Sequence, residues 1–85
     1  MRVVVHRRAA RYVQRLPSQE KKRVVAALEE LATDPLNRPG VKAMLGQWSG
    51  FHRLRVGGTR IIFTVVAEKD VVSVDHIGPR GDVYK

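Results

Sequence analysis

Two adjacent glycines, Gly57 and Gly58, separate two runs in which residues facing alternate sides differ sharply in character, Phe51 to Val56 and Arg60 to Val66. A Gly-Gly pair in that setting predicts a two-residue β-hairpin, because the favoured turns need positive φ and match the twist of the flanking strands. The turn then fixes the register: Val56 opposite Thr59, Arg55 opposite Arg60, Leu54 opposite Ile61, Arg53 opposite Ile62. Side chains alternate faces along a strand. One face therefore gathers Phe51, Arg53, Arg55, Arg60, Ile62 and Thr64, and the other His52, Leu54, Val56, Ile61, Phe63 and Val65. The second set is a core face that helices must cover.

The N-terminal half supplies them. Arg2 to His6 is rich in β-branched residues and reads as a first strand. Arg8 to Leu16 places Ala9, Tyr12, Val13 and Leu16 on one helical face, and Pro17 ends this helix or opens the next. Ser18 to Ala32 is a second helix with an apolar stripe of Val24, Val25, Leu28, Leu31 and Ala32. Thr33 to Gly40 holds two prolines and a glycine and is a loop, too short to separate domains. Val41 to Leu45 is a short turn or edge segment, and Val71 to Ile77 is a last strand. The order is strand, two helices, three-stranded meander, in one domain spanning residues 1–85.

Charge narrows the function classes. Sixteen Lys+Arg against eight Asp+Glu give +8, and arginine outnumbers lysine 11 to 5. That balance favours polyanions, either nucleic acid or an acidic protein, and guanidinium forks suit phosphate. There is no cysteine, which excludes disulfides and thiolate metal sites and fits a cytoplasmic protein. No apolar run approaches the roughly 18 residues of a membrane span, and the first six residues do not form a signal peptide.

Arg55 opposite Arg60, with Arg53 one step along the same face, is unfavourable for stability, since like charges in cross-strand register repel. It suits a phosphate-binding surface, where several forks converge on one backbone. If Glu68-Lys69 forms a tight turn, Asp75 falls opposite Ile62 and partly neutralises this cluster. His52 alternates onto the core face, and His76 is expected there too, so both read as buried, hydrogen-bonded core histidines; His6 sits at a strand end. Beyond the last strand, Arg80 is flanked by glycines and Tyr84 follows; the tyrosine either stacks on an unpaired base or belongs to a loosely packed tail.

The run Leu54-Arg55-Val56-Gly57-Gly58-Thr59-Arg60-Ile61-Ile62-Phe63, followed by Ile77-Gly78-Pro79-Arg80-Gly81-Asp82-Val83-Tyr84, resembles the RelE/ParE toxin superfamily. The N-terminal strand and the helical hairpin joined at Leu16-Pro17 resemble it too, so the likeness covers the whole chain. It implies the α+β microbial RNase fold in β-α-α-β-β-β order, with the helices packed on a curved antiparallel sheet. In the RelE branch it implies a ribosome-dependent mRNA interferase, which cleaves mRNA in the A site by 2′-hydroxyl attack on the adjacent phosphate, without metal or cofactor. Carried over by position, Arg60 stabilises the charged phosphorane, Arg80 protonates or assists the leaving oxygen, Tyr84 positions the mRNA, and Arg53 binds phosphate or favours loss of the 2′ proton. Arg55 is in a supporting position, and Arg55, Phe51 and Lys85 are further candidates for RNA or phosphate contact. Phe51 and Pro79 stand where some members have lysine and a basic residue or histidine, which leaves the proton acceptor unassigned.

Two alternatives follow from the same likeness. One is a ParE-type DNA gyrase inhibitor without nuclease activity, and the other a catalytically degenerate RNA-binding member. The expected partners are an acidic, RelB-like antitoxin and the ribosome with its mRNA, with no membrane association.

Overall fold

The computed structural model describes residues 1–79. β1 (Arg2–Val5) leads into α1 (Arg7–Gln14) and α2 (Ser18–Thr33), then a two-residue β2 (Lys42–Ala43), β3 (His52–Val56), β4 (Thr59–Val66) and β5 (Val71–Pro79). The fold is α+β as expected, with the helices packed on a five-stranded sheet of order β1-β5-β4-β3-β2. The strands from β2 to β5 are antiparallel; β1 joins the edge in parallel to β5, Arg2 opposite Val71 through Val5 opposite Val74.

Local chemistry sets the helix ends. The His6 imidazole caps α1, Nδ1 accepting from the Arg8 amide at 3.2 Å. Leu16 precedes Pro17, and a residue before proline is pushed out of the helical region, so the two helices are separate. Pro17 is the N-cap of α2. At the other end Asp34, before Pro35, adopts φ −154° and ψ 84° and stops it. Arg38 ties the following loop back, its Nη2 meeting the Glu30 carboxylate at 3.2 Å.

The predicted hairpin is present residue for residue: Val56 faces Thr59, Arg55 faces Arg60, Leu54 faces Ile61 and Arg53 faces Ile62. Gly57 has φ +60°, the left-handed start that this turn needs. The core face also forms as expected. Leu54, Ile61 and Phe63 are fully buried, and they join Val72, Val74 and Ile77 of β5 against Ala9, Val24, Ala27 and Leu31 of the helices.

Two details depart from expectation. On α2 the buried line is Val24, Ala27 and Leu31, while Val25 is 43 % exposed. Val25 sits on the shoulder of that stripe, in a shallow apolar groove with Val3, Val5, Leu28 and Ala32 between α2 and β1. The β4–β5 link is not a tight turn at Glu68-Lys69 but a 3₁₀ turn over Ala67–Lys69 closed by Asp70 at φ +55°. Aspartate tolerates that conformation better than most residues, and Val66 still faces Val71.

Candidate nucleic-acid interface

The face of the sheet turned away from the helices is organised in two adjacent cross-strand rows. In the first, Lys42 of β2 faces Arg53 of β3, Arg53 faces Ile62 of β4, and Ile62 faces His76 of β5. In the second, Arg55 faces Arg60 and Arg60 faces Gly78. Facing residues in an antiparallel sheet lie about 4.5–5.5 Å apart at Cα, so three arginines and a lysine crowd one patch. Their depths differ: Arg55 is exposed, Arg53 is half-buried, and Arg60 is only 3 % exposed beside fully buried Ile62. A guanidinium held that deep has few rotamers left, so its fork is fixed in direction. Such a patch can grip a phosphodiester at several points and counter charge that develops on it.

Lys42 was not among the sequence candidates. It belongs to the patch because β2 pairs with β3 for two residues, and two residues are too few to show a strand period. Phe51, expected as an RNA contact, stands half-buried just before β3 and packs edge-on against Trp48, centroids 5.6 Å apart at 80°. Trp48 and Arg53 line one hollow together with Ala43, Met44, Leu45 and Gln47. An aromatic wall beside a guanidinium is suited to a stacked base. Arg80, Tyr84 and Lys85 lie outside the described residues.

One irregularity reorders the far side of this face. The β4–β5 register runs Thr64 to Ser73 and Phe63 to Val74, then jumps to Ile62 opposite His76. Asp75 is the extra residue of a β-bulge, not the partner of Ile62. Its carboxylate is held where it stands, accepting from Thr64 Oγ1 at 3.4 Å and from Ser73 Oγ at 3.3 Å. The bulge also moves His76. Regular alternation would bury it under the helices; with one residue added, it turns to the arginine face and is exposed. The expectation of a core histidine is corrected for His76.

His52 does point to the core side, stacked on Phe63 with centroids 5.6 Å apart at 22°. Its Nδ1 is buried without a hydrogen bond, contrary to the expectation that it would be satisfied. At the β5 edge, Arg8 and Arg11 of α1 and Arg15 at its C-cap share a cleft of ≈350 Å³ with Tyr12, His76 and Ile77. This second basic surface follows an i, i+3, i+7 spacing, interleaved in sequence with the apolar residues that mark the helix. Among the described residues no group of three or more His, Asp or Glu side chains is placed to hold a metal ion, and no helix is long and apolar enough to cross a membrane.

Comparison with known proteins agrees with this architecture. The RelE–RelB complex of Pyrococcus horikoshii contains a chain 27 % identical over 95 % of this one and 96 % of its own length, with TM-score 0.82. The isolated E. coli RelE toxin matches at TM-score 0.75 and 23 % identity, covering 98 % of this chain and 89 % of that one. The YoeB/ParE toxin from Agrobacterium tumefaciens matches at TM-score 0.79 and 14 % identity, over 93 % and 98 %. The latter two likenesses are of fold. No curated protein matches the sequence. The family model described as the ParE toxin of type II toxin-antitoxin systems, parDE, matches residues 3–84. Nearly the whole chain is thus accounted for by that model, and the protein belongs to the ParE toxin family, within the RelE/ParE toxin superfamily.

Proposed function

We propose that this toxin is a ribosome-dependent endoribonuclease that cleaves mRNA in the A site by attack of a 2′-hydroxyl on the adjacent phosphate, without metal. The observation that carries this reading is the pair of cation rows, Lys42–Arg53 and Arg55–Arg60, on the side of the sheet away from the helices. Arg60, deep and fixed, counters the negative charge of the phosphorane. Arg53 and Arg55 hold the flanking phosphates, and Phe51 with Trp48 offers a stacking wall. Arg80 and Tyr84 are assigned to the leaving oxygen and to mRNA placement by likeness to the superfamily alone, and Lys85 is a further candidate for phosphate contact.

The test is a purified translation system with a defined codon in the A site, read by mapping new mRNA 5′ ends. The wild-type protein should cut there and leave free mRNA largely intact, and Arg80→Ala should lower the rate by orders of magnitude. Intact mRNA in the programmed complex would refute the nuclease reading.

A second reading has its own support, since the matching family model is described by ParE: inhibition of DNA gyrase with no chemistry by the toxin. It predicts trapped cleavage complexes in a supercoiling assay and uncut mRNA. Under either reading the excess of positive charge calls for an acidic antitoxin, RelB-like as in the Pyrococcus complex, that folds over the basic face in the cytoplasm. Co-expression with the adjacent small open reading frame should yield a salt-sensitive complex.

A further inference from the structure

We infer that His76 is the proton acceptor of RNA cleavage, placed on the arginine face by the β-bulge at Asp75; this rests on the nuclease reading above. Position comes first. His76 closes the row that begins Lys42–Arg53–Ile62, so Arg53 and His76 flank a single neutral side chain. The imidazole then leans along its own strand. A Cβ built on Gly78 would come 2.7 Å from His76 Nε2, so the ring lies over Gly78. Gly78 is the residue that faces Arg60. The ring thus spans from the row of Arg53 to the row of Arg60, the residue assigned above to the phosphorane. Only glycine at position 78 leaves the ring that place.

Chemistry narrows the choice among the described residues of this face. Arginines do not give up their proton in proteins. Lys42 lies on the far side of Arg53, at the other end of the row. Asp75 already accepts from Thr64 and Ser73 with both oxygens. His52 is stacked on Phe63 on the core side, and His6 caps α1. His76 remains, and a neutral imidazole carries one ring nitrogen free to accept a proton. Among the described residues the charged and titratable groups around it are Asp75 beside it on β5, Arg60 on β4, and Arg8, Arg11 and Tyr12 of α1 with Arg15 at its C-cap, which line its cleft. Those arginines are placed to hold a neighbouring phosphate of the same strand.

The step balances without any further reactant. The 2′-hydroxyl gives its proton to Nε2 as its oxygen bonds to phosphorus. The bond from phosphorus to the 5′ oxygen breaks, and that oxygen takes a proton from water. The histidinium returns its proton to the solvent, leaving a 2′,3′-cyclic phosphate and a 5′-hydroxyl.

Single-turnover cleavage on programmed ribosomes, followed across pH, tests this. His76→Gln should lose about 10²- to 10⁴-fold in rate and lose the acidic limb of the wild-type profile, while ribosome binding is retained. His76→Ala should be partly rescued by added imidazole, which a merely structural role would not allow. Gly78→Ala should lower the rate by displacing the ring. A His76→Gln protein that cuts at the wild-type rate with the same acidic limb, or a His76→Ala loss that imidazole does not relieve, overturns the assignment and leaves the nuclease reading standing. A wild-type protein that cuts nothing on the ribosome overturns both.

Discussion

On its helix-covered side the β3–β4 hairpin carries Leu54, Ile61 and Phe63, all fully buried. On the other side the same short stretch of backbone carries Arg53, Arg55 and Arg60 around Ile62. The first set removes apolar surface from water and contributes stability. The second places like charges in cross-strand register, which costs stability. A strand period of two residues lets one hairpin do both, because neither set constrains the identity of the other. The two faces therefore differ in what a substitution should cost, and four substitutions test that difference.

The largest expected effect is on the core side. Phe63→Ala should lower unfolding free energy by about 3–5 kcal/mol, read by urea denaturation; a loss under about 1 kcal/mol would mean that the core is not centred there. Next is Arg60→Lys, which keeps the charge and discards the fork. Cleavage should fall by about 10²–10³-fold, with a much smaller change in stability than Phe63→Ala produces. Equal losses of stability in the two variants would erase the distinction between the faces. Gly57→Ala acts on the turn that sets both faces at once, and its φ of +60° should make the substitution cost about 1–2 kcal/mol, measurable as a shift in thermal midpoint. The smallest effect is also the most discriminating. Arg55→Thr should change stability by no more than about 0.5 kcal/mol, and in the stabilising direction if cross-strand repulsion from Arg60 is relieved. Its RNA affinity should lose salt dependence, the log–log slope falling by about 0.7 if one single-strand phosphate contact is removed.

Sequence reading reached the hairpin register because Gly57-Gly58 is a local signal with a definite geometry. It reached the core face because alternation follows directly from register. It failed at Asp75 and His76 for the same reason: alternation assumes an unbroken period, and a bulge inserts one residue with little local signature. Thr64 and Ser73 hold Asp75 in place, but they are distant in sequence from each other and ordinary in type. Val25 was misplaced because a stripe on a helix has shoulders, and only packing against β1 decides which residues occupy them. The parallel pairing of β1 with β5 was not read either, since residues 2–5 carry no mark of their partner.

That pairing has a consequence for how the protein comes into being. Arg2 must find Val71, and Val5 must find Val74, so β1 waits for β5. Contacts of such long sequence separation form late and slow the search. During synthesis β1 and the helices emerge with their apolar sides uncovered, and the centre of the sheet closes only when β5 has left the exit tunnel. The strand that completes the sheet also bears His76. A chain made only as far as α2 thus lacks the partner of β1, and the arginine face takes its final shape only once β5 is free to pair with β4 and β1.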